Sequence, residues 1–263
     1  MKFSANLGFL WTDRPLPDAI RAAKAAGFDA VECHWPYEVP VEEVKAALAE
    51  TGLKMLGLNT VRGNTAKGEN GLSALPGRED DARAAIDQAI AYAVAIDTAN
   101  IHVMAGFATG DAAHETFCAN LAYACTQAAP HGITILIEPL NRYDAPGYFL
   151  TTTEQAREII AQVDAQVGAQ IGSPNLKLMF DCYHVQLMEG DLTHRLTALQ
   201  PVIGHIQFAS VPDRAAPDHG EVNYPHIFET IRDMAWPTPL GAEYKPGGDT
   251  DQTLGWLKTA QAI

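Results

Sequence analysis

Short runs of apolar residues, each too brief for a helix and each followed by an amphipathic stretch, recur from one end of this chain to the other. This alternation constrains the fold most, because repeated strand–helix units build parallel sheets covered by helices. The strand-like runs are Phe3–Phe9, Phe28–Cys33, Leu53–Asn59, Ala99–Met104, Ile133–Glu138, Leu176–Asp181, one ending at about Gln207 and one ending at about Glu243. Between and after them, the spacing predicts helices over Leu16–Ala26, Val41–Thr51, Glu79–Ile96, Ala112–Ala128, Thr153–Val163, Leu192–Gln200, Pro225–Met234 and Thr250–Ala260. The third helix places Ala82, Ile86, Ala89, Ile90 and Ala93 on one stripe, the mark of a helix with one buried face. The junctions Ala26-Gly27-Phe28, Thr51-Gly52-Leu53 and His131-Gly132-Ile133 share one device, a glycine that ends a helix just before a strand starts. Eight such units at about 30 residues each fit a chain of 263 residues and a closed (β/α)8 TIM barrel of about 250 residues. A doubly wound open sheet is the alternative, but no GxGxxG follows the first strand. Without a linker or composition break, residues 1–263 are expected to form one catalytic domain.

Four polar residues that end or closely follow such runs stand out: Glu138, Asp181, Gln207 and Glu243. A carboxylate there is costly to bury and lies at the C-terminal rim, where barrels keep their active sites. Four converging oxygen-bearing side chains make a hard-cation site, an acid–base pair, or both. Carboxylates with an amide and no thiol point to Mg²⁺ or Mn²⁺ rather than zinc. Glu138 and Glu243 are the acid–base candidates, with Lys245 a possible ion-pair partner for Glu243. His184 follows Asp181 by three residues and can share the barrel mouth, His205 shares a strand face with Gln207, and His102 can point inward. His114, His131, His194 and His226 read as structural. The long loops Thr60–Arg78 and Ala209–Asn223 exceed what a plain connection needs and are expected to build the mouth.

A net charge of −14 opposes nucleic-acid binding and gives no support for docking on anionic membranes. Cys33, Cys118, Cys125 and Cys182 lack metal-ligand spacing, and Cys118 and Cys125 share a helical face, so buried reduced thiols are expected. With no secretory h-region and no apolar run of membrane-spanning length, a cytoplasmic enzyme is the expectation. Assembly into a homo-oligomer stays open.

At these residues the chain resembles the hydroxypyruvate isomerase family, within the xylose isomerase-like barrels. The resemblance rests on Phe3-Ser4-Ala5-Asn6-Leu7, Gly27-Phe28-Asp29-Ala30-Val31-Glu32, Gly71–Glu79, His102-Val103-Met104-Ala105-Gly106, Ile137-Glu138-Pro139-Leu140-Asn141, Gly220–Tyr224 and Glu243-Tyr244-Lys245-Pro246, spread over nearly the whole length. Leu72–Glu79 and His102–Gly106 look most like the 2-oxotetronate isomerase branch, Ile137–Asn141 like hydroxypyruvate isomerase proper. The chain departs at Trp35-Pro36-Tyr37, where Phe-Pro-Tyr is expected, and at Glu69-Asn70-Gly71, where an aromatic residue is expected after the acid. The resemblance implies Glu138 and Glu243 as catalytic acid and base, and Glu138, Asp181, Gln207 and Glu243 as the metal set. It also implies interconversion of a short anionic hydroxy-oxo acid with its isomer, through an enediolate. Such a substrate brings a carboxylate to an acidic mouth, so a cation must hold it. Arg214 is the leading choice, with His184 and Lys245 next; a surface pair of Arg214 with Asp213 or Asp218 is the plain alternative. A keto-sugar epimerase would use the same four residues. An endonuclease IV-like nuclease would need a histidine-rich zinc site, and a non-catalytic sugar-binding barrel would not need two glutamates at one centre.

Overall fold

In the computed structural model, which describes residues 1–172 and 174–263, eight strands are β1 (Phe3–Asn6), β2 (Ala30–Glu32), β3 (Gly57–Asn59), β4 (Asn100–His102), β5 (Thr134–Ile137), β6 (Leu176–Asp181), β7 (Ile203–Phe208) and β8 (Leu240–Ala242). Their order is β2-β1-β8-β7-β6-β5-β4-β3, every named ladder parallel. The two ends of that order meet: Leu56 N donates to Val31 O at 2.7 Å and Cys33 N to Gly57 O at 3.1 Å. The sheet therefore closes into the expected barrel, and closure leaves no edge to protect.

Around it pack α1 (Leu16–Ala26), α2 (Val41–Thr51), α3 (Glu79–Ala95), α4 (Asp111–Ala128), α5 (Thr153–Ile171), α6 (Cys182–Met188), α7 (Leu192–Leu199), α8 (Tyr224–Asp233) and α9 (Gly255–Gln261). The helix-ending glycines act as expected. Gly27 and Gly52 sit at φ 96° and 68°, and their N–H groups return to carbonyls of the last helical turn. The helix layer is sealed near β1 and β7 by Phe3, Phe208, Phe228 and Trp256, whose rings meet edge-on at 5.1–5.8 Å. All four cysteines are free and buried.

Several boundaries differ from the sequence reading for identifiable reasons. β1 stops at Asn6, not Phe9, because the Asn6 side chain accepts Gly8 N and its carbonyl accepts Leu10 N, turning the chain out. Helix α5 runs two turns past Val163 to Gly172, whose N–H meets Gly168 O. The last helix begins at Gly255, after a short 3₁₀ turn over Thr250–Thr253. Helix α6 was not expected at all. It starts without a loop because Asp181, the last residue of β6, caps it by accepting Tyr183 N at 2.9 Å.

Parallel order puts all eight strand C-termini on one rim. The last strand residue or its neighbour there is Asn6, Glu32, Asn59, His102, Glu138, Asp181, Gln207 and Glu243. Asn6, Glu32 and Asn59 join the five residues named from sequence at this rim, and the same strand-end rule finds them.

Candidate active site

Glu138, Glu243, His102, His184, Arg214 and Lys245 all line one cavity of about 360 Å³ at this rim. A larger cavity, about 560 Å³, lies between the loop after β7 and helices α8 and α9, but none of the converging carboxylates reaches it. Volume is therefore a poor guide to the chemistry here. Glu138, Asp181, His184 and Glu243 each bring one ligand-type atom within 4.8 Å of the others, all four residues buried.

The two glutamates are prepared differently. Glu243 Oε1 accepts from Asn6 Nδ2 at 3.0 Å and lies 3.0 Å from His34 Nε2, while Oε2 receives the Arg214 guanidinium. Burial alone would raise its pKa, but Arg214 and the His34 hydrogen bond reverse this and hold it at about 2. Glu138 has only looser neighbours, His102 Nδ1 at 3.6 Å and His184 Nε2 at 3.9 Å, and its Oε1 has no hydrogen-bond partner. Burial, then the charges of Glu243 and Asp181, push it well above the usual carboxylate range. Burial also lifts Asp181 to about 7, despite Arg214 Nη2 at 3.7 Å.

Arg214 is not the surface residue of the plain alternative. It is buried, faces Glu243, Asp181 and Asp144 (3.4 Å), and stacks over the rings of Phe9 and Tyr183. Asp213 instead accepts Ser210 Oγ and pairs with His219. The possible Lys245–Glu243 pair does not form among the described residues: Lys245 is exposed, and Arg214, Asn6 and His34 occupy Glu243. His205 turns away from catalysis to a 2.6 Å contact with Glu32.

His184 is fixed in one tautomer. Asn141 Oδ1 already accepts the N–H groups of Tyr143 and Asp144, so its amide cannot be reversed. Asn141 N (3.1 Å) and Nδ2 (2.7 Å) therefore both donate to His184 Nδ1. A ring accepting at Nδ1 carries its proton on Nε2, which lies 3.6 Å from Asp181 Oδ2. Burial and then Arg214 hold its pKa at about 3, so the ring is neutral. A protonated nitrogen donates and does not ligate, so His184 is a donor beside the cluster.

Gln207 lies beside Asp181 in the β6–β7 register, and its Oε1 is buried without a hydrogen-bond partner. Gly241 makes room on the other side: a Cβ there would lie 2.7 Å from Gln207 Cγ and 2.2 Å from Glu32 Oε1. The buried oxygens Glu138 Oε1, Asp181 Oδ2 and Gln207 Oε1 all lack hydrogen-bond partners. Burying such atoms without a partner is costly, and a cation held by Glu138, Asp181 and Glu243, whose ligand-type atoms lie within 4.8 Å of one another, would satisfy the first two, while Gln207 lines a separate small pocket with Glu32, His102 and His205. The donor set fits a metal. His34, Asn141, Asp144 and Arg62 were not singled out from sequence; His34 directly follows the apolar run Phe28–Cys33, so the strand-end rule that finds Glu243 also finds it.

Residues 20–260 match the family model described as xylose isomerase-like TIM barrel. The chain is 43% identical over 261 residues to the 2-oxo-tetronate isomerase of Cupriavidus necator, covering 98% of this chain and 97% of that protein. It is 37% identical over 262 residues to the hydroxypyruvate isomerase of Escherichia coli, covering 98% of each. A solved structure from Brucella melitensis, titled AP endonuclease, family 2, superposes with a TM-score of 0.92 at 37% identity over 98% of both chains. A D-psicose 3-epimerase from Clostridium cellulolyticum, at 18% identity and a TM-score of 0.76, shares the fold over 97% of this chain and 89% of its own. Barrel, rim carboxylates and full-length relatives agree: the chain is an enzyme of the xylose isomerase-like TIM barrel family, in its hydroxypyruvate isomerase group of isomerases.

Proposed function

We propose that the chain interconverts short hydroxy-oxo acids, hydroxypyruvate with 2-hydroxy-3-oxopropanoate (tartronate semialdehyde) or a 2-oxo-tetronate with its isomer, through a cis-enediolate. The observation that carries this reading is the pair of buried glutamates, Glu138 and Glu243, aimed at one cavity within 4.8 Å of each other. The names of the Cupriavidus and Escherichia relatives support the substrate class.

The chemistry needs a base that removes a proton from the hydroxyl-bearing carbon and an acid that returns one to the neighbouring carbon. Meanwhile the hydroxyl proton passes to the former carbonyl oxygen. Two carboxylates whose proton affinities differ can pass a proton between these two tasks: without a cation, burial and neighbouring acids raise the affinity of Glu138, while Arg214 and His34 lower that of Glu243. His184 Nε2–H and the Arg214 guanidinium stand beside them to donate to the substrate oxygens as charge develops. His102 closes the Glu138 side of the cavity. Glu138, Asp181 and Glu243 would hold a divalent cation, Mg²⁺ or Mn²⁺, which when bound would neutralise the acids and polarise both substrate oxygens.

Turnover of hydroxypyruvate, 2-oxo-tetronates and uncharged keto-sugars, with EDTA or with added Mn²⁺, tests the reading. Isomerisation of an acid at a higher kcat/KM than any keto-sugar is expected. Preference for a keto-sugar would favour the epimerase instead. An abasic-site duplex belongs in the same panel because the similar Brucella melitensis protein is named an AP endonuclease. A chain of net charge −14 is expected to leave it intact, and its cleavage would sink the isomerase reading.

A further inference from the structure

Three cationic side chains line the mouth: Arg214, Lys245 and Arg62. Arg214 is committed to the acids around it, and Lys245 is exposed. Arg62 is different. It belongs to the loop after β3, is half-buried, and has no carboxylate partner among the described residues, in a chain where 32 acidic residues outnumber 18 basic ones. Its Cζ lies 4.2 Å from the centroid of the Trp35 ring, on the turn after the neighbouring β2. That ring is itself fixed, because Trp35 Nε1 donates to Thr60 O at 3.0 Å. Stacking uses the flat face of a guanidinium and leaves the N–H donors along its edge free, in the fork that suits a carboxylate. Trp35, Arg62, Glu138 and Glu243 line the same cavity.

We propose that Arg62, supported by Lys245 from the solvent side, holds the carboxylate of the substrate, and that Trp35 is the positioning residue that presents it. This rests on the hydroxy-oxo acid reading above. A substrate carboxylate placed against Arg214 would join three acids already sharing that one charge. Placed against Arg62, it meets a cation that no acid of the described residues claims, in the same cavity that Glu138 and Glu243 line. The anchor thus selects substrates with an anionic group next to the reacting carbons.

Steady-state kinetics on the full chain with hydroxypyruvate and a 2-oxo-tetronate provides the test. Arg62→Met keeps the apolar stem over Trp35 and removes the fork, so KM should rise about tenfold or more while kcat stays within about twofold. Arg62→Lys should recover part of that loss, and Trp35→Leu should raise KM less than Arg62→Met. Added salt should raise KM in the wild-type chain and far less in Arg62→Met. A wild-type chain that turns over the acids while Arg62→Met leaves KM unchanged, or lowers kcat alone, overturns the anchor and leaves the isomerase reading standing. A wild-type chain inactive on every acid overturns both, and is seen before any variant is made.

Discussion

Glu138 and Glu243 are the same residue type, one position past strands of the same barrel, and buried to the same degree, 5% exposed each. Their surroundings make them opposites. The β8 side surrounds Glu243 with an amide from β1, an imidazole from the turn after β2 and a guanidinium, so its charge is stabilised before any substrate arrives. The β5–β6 side leaves Glu138 and Asp181 each with a buried oxygen that has no hydrogen-bond partner among the described residues. One wall is complete and the other has room for a proton or a cation. A strand-end position decides where a carboxylate goes, and its neighbours decide which protonation state it keeps.

The sharpest way to break this comparison is to neutralise each wall in turn. Glu138→Gln and Glu243→Gln should each lower kcat by about 10²–10⁴-fold with the fold intact, because proton transfer needs a group that titrates. A loss below about tenfold in either, roughly 1.4 kcal/mol of barrier, would remove that residue from the acid–base pair.

Stability should separate the same two variants. Glu243→Gln leaves buried Arg214 without its closest partner and should cost about 2–3 kcal/mol by urea unfolding, tempered because Asp181 and Asp144 remain nearby. Glu138→Gln removes a repelled carboxylate and should leave chelator-treated protein as stable or more so. Equal destabilisation would mean that both walls are complete.

A pH series sharpens this further. Asp181 has a folded pKa raised from 3.8 to about 7, and Glu138 is shifted the same way. Their contribution is fully present below the unfolded values. It drains as pH rises towards 7, because the unfolded chain ionises freely while the folded one holds its protons. Glu243, lowered from 4.5 to about 2, does the reverse: its contribution is present above 4.5 and is lost as pH falls through about 2. Chelator-treated protein should therefore lose thermal stability between about pH 4 and 7, with a shallower slope in Glu138→Gln. Added Mn²⁺ should flatten the slope, since a cation replaces the protons. An unchanged slope in the variant would show that Glu138 is ionised throughout.

The barrel was legible because strand and helix periods alternate through the whole chain, and the acids because each closes an apolar run. What escaped was set by tertiary contact. Helix α6 follows β6 without a turn residue, so Cys182–Met188 carries no start signal beyond Asp181, which already had a reading as a site residue. His34 follows an apolar run and Asn141 lies in a loop, but nothing in sequence shows that one hydrogen-bonds Glu243 and the other sets the His184 tautomer. Arg214 was legible as a loop arginine near the mouth, but the three acids that claim it come from separate segments distant in sequence.

The smallest expected difference compares the histidines of the two walls. His34→Phe keeps a ring for the edge-on contact with Phe9 at 5.2 Å and the tilted one with Trp35 at 4.9 Å. It removes only the hydrogen bond to Glu243. Hydrogen bonds to charged groups contribute about 1.5–3 kcal/mol when buried, and Asn6 and Arg214 remain, so a loss of about 1 kcal/mol in stability is expected. His102 on the other wall has neither ring nitrogen hydrogen-bonded, and burial holds its pKa at about 4. His102→Phe removes two buried unpartnered polar atoms, so chelator-treated protein should be unchanged or slightly more stable while activity falls. Urea midpoints of the two variants, measured side by side, decide it. A larger loss at His102 than at His34 would mean that the Glu138 wall is held together by hydrogen bonds of its own, and the contrast between the walls would fail.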